Sequence, residues 1–226
     1  KEGSRALPKK LKKVKAIACG HNVSMALHED GNVTIWGRDH FLRMVPNNLE
    51  NIKAISAGEF VQLCLEEDGT VHAWGHYMYK DERFPSSEQL SGVKGIAAGS
   101  NRMFVLKEDG EVVGSHSSGA DTPSKPDDAK KIAEIAAGTR VGCILLTEKG
   151  KVIQWIGTES GERITKAIAI RAGGDMYAAQ MMDKTWKVWG RAPKAEEMAR
   201  EIEKLGPLKD LAFGRDRNEG YFIAIK

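Results

Sequence analysis

The chain has 226 residues, a formal net charge of +3 and 41% hydrophobic residues. This length suits one all-β domain, and we expect a single domain over residues 1–226. The sequence has no run of about 18 apolar residues that would span a membrane, and the small net charge does not favour nucleic acid as a partner.

The N-terminal stretch is basic, with lysines at positions 9, 10, 12, 13 and 15. Such a cluster is compatible with a nucleic-acid contact or with a solvated tail, and we favour the tail. The stretch lacks the apolar segment of a signal peptide. We therefore expect a cytoplasmic location; the alternative is a signal peptide that has already been removed.

The three cysteines, Cys19, Cys64 and Cys143, lie in or near apolar strand positions and show no CxxC spacing. An odd number without metal-ligand spacing argues against a disulfide framework and against a zinc site. We expect all three to be small core residues.

A motif of small residues ending in glycine recurs along the chain. It reads IACG, ISAG, IAAG, IAAG, IRAG and LAFG, and its glycines are Gly20, Gly58, Gly99, Gly138, Gly173 and Gly214. Three short strands in a period of about 40 residues are typical of one propeller blade. We therefore predict an all-β, six-bladed β-propeller with repeats starting near residues 14, 52, 93, 132, 167 and 207.

The first two copies contain the whole repeat: the glycine motif, a D-G pair at Asp30-Gly31 and Asp68-Gly69, and a W-G pair at Trp36-Gly37 and Trp74-Gly75. The D-G pair predicts a type I′ hairpin with aspartate at positive φ. Small residues let the innermost strands approach one another. The tryptophans, including Trp189 of the fifth copy, are expected to be largely buried between blades.

Later copies keep parts of this pattern. The third has Asp109-Gly110 but Ser115-His116 in place of W-G, the fourth has Lys149-Gly150 and Trp155, and the fifth has Asp183-Lys184 and Trp189-Gly190. Residues 193–205 instead carry apolar side chains at helical spacing, which predicts a short amphipathic helix in a linker.

The sixth copy ends without a D-G-x-V-x-x-W-G strand. We expect this incomplete blade to be closed by an upstream strand ending in W-G, preceding Lys1. The alternative is an unpaired edge, open to β-strand addition by a partner, if Lys1 is the true start.

The pattern I-x-A-G, D-G-x-V-x-x-W-G and a Pro-containing linker resembles the regulator of chromosome condensation repeat superfamily over about residues 14 to 226. The short copies are closest in style to the propeller-type β-lactamase inhibitors of that superfamily. The resemblance implies a disc whose loops bind proteins, such as the GTPase Ran or β-lactamases. Nucleotide exchange in the founding member depends on an inserted hairpin, and no copy here contains one.

Catalytic motifs are absent: the sequence has no G-x-S-x-G, no phosphate-binding G-x-x-x-x-G-K-[ST] and no H-E-x-x-H. The only close histidine pair, His72 and His76, lies across a strand end and does not favour a metal site. We predict a protein without catalytic residues, cofactor or metal.

The candidate binding surface is the edge, or rim, where the turns after the A-G motifs meet the segments after W-G. Function is commonly carried by loops on a rigid scaffold, and aromatic and Arg side chains favour interface centres. Packing of the aromatics under their own linkers is the alternative. The predicted protein-binding residues are Phe41, Phe60, Tyr77, Tyr79, Arg102, Arg140, Asp175 and Arg217.

The leading hypothesis is a non-enzymatic protein-binding module: an inhibitor, an adaptor or a subunit of a larger complex. The alternative is a guanine-nucleotide exchange factor or other regulator of a small GTPase. A third class, an enzyme that uses the propeller's centre, would need polar groups where the sequence places mainly Ala, Ile and Gly.

Overall fold

The computed structural model describes residues 8, 11, 13–21, 23–37, 42, 44–75, 90–116, 124–138, 142–156, 163–191, 195–215 and 220–225. Contacts between Cα atoms divide the chain into two compact units, Lys1–Thr122 and Pro123–Lys226, called here the N-unit and the C-unit. The single-domain expectation stays a prediction.

The N-unit contains three antiparallel sheets of three strands each, in the orders β1-β2-β3, β4-β5-β6 and β7-β8-β9. Their bounds are β1 (Val14–Cys19), β2 (Val23–His28), β3 (Val33–Gly37), β4 (Ile52–Ala57), β5 (Val61–Glu66), β6 (Val71–Gly75), β7 (Val93–Ala98), β8 (Arg102–Lys107) and β9 (Val112–His116).

The described part of the C-unit contains the sheets β10-β11-β12, β13-β14-β15 and β16-β17, and one helix, α1. The bounds are β10 (Ile132–Ala137), β11 (Cys143–Thr147), β12 (Val152–Ile156), β13 (Ala167–Gly173), β14 (Met176–Met181), β15 (Trp186–Gly190), α1 (Ala195–Leu205), β16 (Asp210–Arg215) and β17 (Gly220–Ile225). Each repeat therefore supplies one sheet, and residues 1–7, on which the closure expectation partly depends, lie outside the described residues.

The same register recurs in every sheet. Ile17 faces Ala26, Ile55 faces Cys64, and the corresponding pair of the last sheet is Leu211 with Ala224. The first strands of the first five sheets also share a β-bulge at their start. This repetition allows residues of different sheets to be compared position by position.

Apolar residues of neighbouring sheets form the core between them. In the N-unit, Met25 and Leu27 of β2 cluster with Ile52 of β4 and with Trp74 of β6. Trp74 is 4% exposed, as predicted, and Trp36 and Trp189 are less deeply buried. Their neighbours cover less of the indole than the neighbours of Trp74 do.

The helix α1 confirms the expected amphipathic linker, although residues 192–194 are not described. Met198 and Ile202 are buried among residues of β14–β17, such as Ala178 and Phe222. Acidic residues lie in its first turn and Lys204 in its last, the arrangement that suits a helix dipole. Gly206, at φ 75°, ends the helix.

The cysteines meet the expectation in part. Cys64 and Cys143 are fully buried, and burial raises the pKa of both thiols, that of Cys64 to about 12. Cys19 is exposed, because β1 is mostly exposed, so its assignment to the core is wrong.

Candidate functional site

Three of the eight predicted binding residues lie in the described part of the chain: Phe60 and Arg102 in the N-unit and Asp175 in the C-unit. The other five lie outside the described residues; they are Phe41, Tyr77, Tyr79, Arg140 and Arg217. Each described residue lies at or beside a turn between the first and second strand of a sheet.

Close backbone packing positions the N-unit turns. A Cβ atom built on Gly20 would lie 2.0 Å from the carbonyl oxygen of Gly58, and one on Gly58 would lie 1.6 Å from that of Gly99. No side chain fits in either place, so the repeated glycine is required by the approach of neighbouring first strands.

Hydrogen bonds then join the turn between β4 and β5 to the turn between β7 and β8. The backbone N–H of Phe60 donates to the carbonyl of Ser100 over 2.7 Å, and the Ser100 hydroxyl donates to Oε2 of Glu59 over 2.7 Å. Beneath them the buried Gln62 side chain donates to the Gly58 carbonyl over 3.5 Å. Phe60 is thus half-buried on a turn that is fixed from two sides.

Arg102 is the first residue of β8 and is half-buried. Its carbonyl accepts the N–H of Gly99 over 2.8 Å, which closes the turn before it. Burial lowers the pKa of its guanidinium, but this group stays charged at neutral pH. The turn therefore presents a cation close to Ser100.

The end of β6, the third strand of the second sheet, lies beside the turn that carries Phe60. A Cβ atom on Gly75 would lie 1.9 Å from the carbonyl oxygen of Phe60, and the φ of Gly75 is 146°. The glycine of the W-G pair therefore lets the chain leave the sheet next to Phe60.

The C-unit repeats this geometry around Asp175. The N–H of Arg191, directly after Gly190, donates to the Asp175 carbonyl over 2.9 Å, and a Cβ on Gly190 would lie 2.2 Å from that oxygen. Asp175 is half-buried in the turn between β13 and β14.

The D-G hairpins form the opposite edge of each sheet, and they are not type I′ turns. Positive φ occurs at Gly31, Gly69 and Gly110, while the preceding aspartates do not have it. Each hairpin is therefore a tight turn followed by one left-handed residue, a three-residue loop. The expected turn type is wrong because glycine supplies the positive φ and leaves aspartate free to accept a hydrogen bond.

The carboxylates of these hairpins accept backbone N–H groups two residues later: Asp30 from Asn32 over 3.0 Å and Asp68 from Thr70 over 2.8 Å. The pKa of Asp30 is held below its ordinary value by the Asn32 side chain and then by this backbone hydrogen bond, and that of Asp68 by the backbone hydrogen bond from Thr70. In addition, Ile52 N–H donates to the Gly31 carbonyl over 3.0 Å. This hydrogen bond from the next sheet, which the sequence pattern did not predict, gives the hairpins a structural role.

Charged residues on the first strands of the C-unit sheets were also not predicted. Arg171 of β13 donates from Nη1 to Oε1 of Glu134 over 3.1 Å and from Nε to Oδ1 of Asp210 over 2.9 Å. Burial raises the pKa of the Glu134 carboxyl, and this effect outweighs the opposite effect of the nearby Arg171 guanidinium. The guanidinium also lies over the ring of Trp186, 5.9 Å from its centroid. Arg171 therefore joins three sheets.

Comparison with known proteins identifies the repeat. A family model described as the regulator of chromosome condensation (RCC1) repeat matches residues 14–41, which contain the whole first sheet. No curated protein sequence matches the chain.

Solved structures match over nearly the whole chain. Human WBSCR16 matches with a TM-score of 0.69 at 16% identity, covering 94% of this chain and 72% of that one. Prp20p of Saccharomyces cerevisiae matches with a TM-score of 0.63 at 17% identity, covering 94% and 69%. The chain therefore has an RCC1-like repeat fold of the propeller type. The ectodomain of the Physcomitrella patens receptor kinase CR4 has the same fold, with a TM-score of 0.69 at 15% identity, covering 93% and 64%.

The described residues of the chain show no group of three His, Cys, Asp or Glu side chains that could hold a metal ion. Within the same residues, no helix has the length and hydropathy to cross a membrane.

Proposed function

We propose that this chain is a non-enzymatic protein-binding module, an inhibitor, an adaptor or a subunit of a larger complex. It binds its partner through the edge where the A-G turns meet the ends of the W-G strands. From the cysteine usage we also propose a reducing, cytoplasmic compartment.

The observation that carries this proposal is the pair of hydrogen bonds between the turns at Phe60 and Ser100. A turn held in this way loses little conformational entropy when it binds, so its side chains contribute more of their contact energy to affinity. These two joined turns carry Phe60 and Arg102, and aromatic and arginine side chains are residue types that binding hot spots favour. The D-G hairpins, in contrast, have their carboxylates bonded to their own backbone.

The two described candidates of the N-unit differ in the role that we give them. Phe60 is half-buried and supplies apolar contact area, while Arg102 supplies a charged donor that burial has already partly desolvated. Because a cation with part of its hydration removed binds a carboxylate at lower cost, we propose that an acidic group of the partner meets Arg102.

The test compares two double variants with the wild-type chain as immobilised bait in an extract of the source cells. Phe60→Ala/Arg102→Ala changes the proposed edge, and Glu67→Ala/Glu108→Ala is the matched control at exposed hairpin positions of the same unit. We expect proteins that bind the wild type and the control to be lost from the first variant. If the bound proteins are lost from the control variant alone, the partner binds at the opposite edge, where the D-G hairpins lie.

The alternative of nucleotide exchange on a small GTPase is kept because Prp20p, which shares the fold, is described by its binding to Gsp1p and histones. The test is the release rate of a fluorescent guanine nucleotide from a panel of small GTPases with and without this chain. An accelerated rate would favour the exchange factor over the inhibitor, adaptor or subunit.

A further inference from the structure

Four exposed lysines lie on the hairpin edge of the C-unit. Lys149 and Lys184 belong to the hairpins after β11 and β14, and Lys131 and Lys166 directly precede β10 and β13. Because the first strand of an antiparallel sheet starts where the second strand ends, both kinds of lysine lie at the same edge. We call these four residues the lysine row.

Backbone contacts hold the lysine row together across two neighbouring sheets. The Lys131 carbonyl accepts the N–H of Glu148, in the first hairpin, over 2.9 Å. A Cβ atom built on Gly150 of the same hairpin would lie 3.0 Å from the Cα of Lys166. Lys166 in turn precedes the residue that pairs with Met181, next to the second hairpin. The backbone therefore fixes where the four lysines lie.

Three residues of the lysine row have a left-handed backbone. Their φ angles are 51° at Lys131, 63° at Lys166 and 65° at Lys184. A Cβ atom makes this conformation unfavourable, and glycine and asparagine adopt it most readily. Two of the three N-unit repeats have these residue types before the first strand, namely Asn51 and Gly92. The lysines are therefore kept at a cost to stability, as is common for residues with a function.

The ammonium groups of the lysine row have no partner in the described part of the chain, where no ion pair or side-chain hydrogen bond includes them. Other lysines near the hairpins do have partners. Lys151 pairs with the Asp128 carboxylate, and Lys53 of the N-unit donates to the Glu67 carbonyl over 3.1 Å. The lysine row is thus available to a ligand.

The hairpin edge differs in charge between the two units. Every N-unit hairpin begins with a Glu-Asp pair, at residues 29–30, 67–68 and 108–109. In the C-unit, Lys149 replaces the aspartate of the first hairpin and Lys184 replaces the glycine of the second. The lysine row thus carries four positive charges beside the carboxylates of Glu148 and Asp183. A surface with this excess of cations fits an anionic ligand.

One apolar side chain lies beside the lysine row. Met182 is 73% exposed and replaces the glutamate that the other four hairpins have at this position. Lysines next to an exposed apolar side chain suit the surface of a bilayer, which offers phosphates and, beneath them, acyl chains. The phosphate backbone of a nucleic acid offers no apolar partner.

We propose that the lysine row and Met182 bind the surface of a membrane that contains anionic lipids. The lysines contact the lipid headgroups as point charges, which requires no fixed orientation of the headgroup. Met182 lies at the boundary between headgroups and acyl chains. The cytoplasmic leaflet is anionic and matches the compartment proposed above. The contact uses neither Phe60 nor Arg102 and is independent of protein binding at their edge.

The test is cosedimentation of the 226-residue chain with phosphatidylcholine vesicles that contain or lack phosphatidylserine. The wild type should bind only the vesicles with phosphatidylserine, and binding should weaken as the salt concentration rises. For Lys131→Asn/Lys166→Asn/Lys184→Gly, the partition coefficient should fall on the order of a hundredfold, since each lysine contributes about fivefold at an anionic surface. The Tm of this variant should equal or exceed that of the wild type, because the new residues relieve strain. A loss of binding is then not due to unfolding.

The matched control is Lys15→Gln/Lys53→Gln/Lys94→Gln, which removes the same charge from the N-unit. It should bind the vesicles as the wild type does. A wild type that stays in the supernatant with phosphatidylserine vesicles, a lysine-row variant that still binds them, or an equal loss in the control would each overturn the proposal. Tighter binding of an oligonucleotide than of the vesicles would also overturn it and would identify a nucleic acid as the ligand.

Discussion

The N-unit and the C-unit build the same sheets with different contacts between their first strands. Glycines let backbones approach in both units, and in the N-unit the Ser56 hydroxyl also accepts the N–H of Ala98 over 2.9 Å. In the C-unit, the Glu134 carboxylate accepts the N–H of Ile170 over 3.0 Å, and Arg171 bridges it to Asp210. The comparison teaches that the repeat geometry is fixed by strand register and spacing, while the side chains that hold neighbouring sheets together can change.

The largest difference between the units should appear at the tryptophans. Trp74→Ala removes an indole that is 4% exposed and should lower the free energy of unfolding by about 3–5 kcal/mol. Trp189 is half-buried and stacks on Tyr177 with centroids 5.8 Å apart, so Trp189→Ala should cost less, about 2 kcal/mol. Urea denaturation measures both, and equal losses would contradict the difference in burial.

The second test concerns the backbone approach. A Cβ on Gly58 would lie 1.6 Å from the Gly99 carbonyl oxygen, whereas one on Gly138 would lie 2.9 Å from that of Gly174. Gly58→Ala should therefore destabilise the chain by about 3 kcal/mol and Gly138→Ala by about 1 kcal/mol. If thermal unfolding shows the C-unit variant to be the less stable, the close approach is not what distinguishes the units.

The hairpins allow a test in which stability rises. Lys184 occupies, at φ 65°, the left-handed position that glycine has in the other hairpins, where Gly31 has φ 80°. Lys184→Gly should stabilise the chain by about 0.5 kcal/mol, since glycine adopts this conformation without strain but loses more entropy on folding. Gly31→Ala is the matched change and should destabilise it by about 1 kcal/mol. Loss of stability in both variants would mean that the Lys184 side chain makes a contact that matters more than its backbone.

The smallest effects should come from pH, and they should have opposite signs in the two units. Burial raises the pKa of the Glu134 carboxyl above 4.5, so protonation of this carboxyl stabilises the folded chain. This stabilisation is fully present below pH 4.5 and is lost as pH rises through the raised pKa. The hydrogen bond from Thr70 lowers the pKa of Asp68 below 3.8, so its contribution is present above pH 3.8 and is lost as pH falls.

The measurement is Tm against pH for the wild type, Glu134→Gln and Asp68→Asn. The Tm advantage of the wild type over Glu134→Gln should shrink by about a degree between pH 4 and pH 7. Its advantage over Asp68→Asn should shrink as pH falls below 4. Parallel curves for all three proteins would show that neither carboxyl is perturbed by folding.

The sequence predicted the elements that depend on local pattern. The glycine period predicts the repeat, and the spacing of Met198 and Ile202 predicts α1, because both signals come from residues close along the chain. The D-G pairs locate the hairpins correctly. They mislead on the turn type, since a two-residue and a three-residue loop both favour this dipeptide and only the flanking hydrogen bonds distinguish them.

Features that depend on contacts between repeats were beyond the sequence pattern. The carboxylates that pair with Arg171 are not local, because Glu134 and Asp210 lie more than 35 residues away in sequence on either side. The exposure of Cys19 and Ile17 likewise depends on whether another strand covers β1. The sequence of β1 follows the same pattern as the first strands that are covered, so the pattern alone did not indicate this exposure. For the candidate site, the pattern located the turns of Phe60, Arg102 and Asp175 but not the hydrogen bond between Phe60 and Ser100.

The most direct test of the central claim, protein binding through the A-G turns, is hydrogen exchange of the chain with and without its captured partner. We predict that binding slows exchange in peptides containing residues 58–61 and 99–102 of the N-unit and residues 173–176 of the C-unit. Peptides with the hairpins at residues 66–71 and 107–112 should exchange at unchanged rates. Slower exchange at the hairpins, with unchanged rates at the A-G turns, would contradict the account.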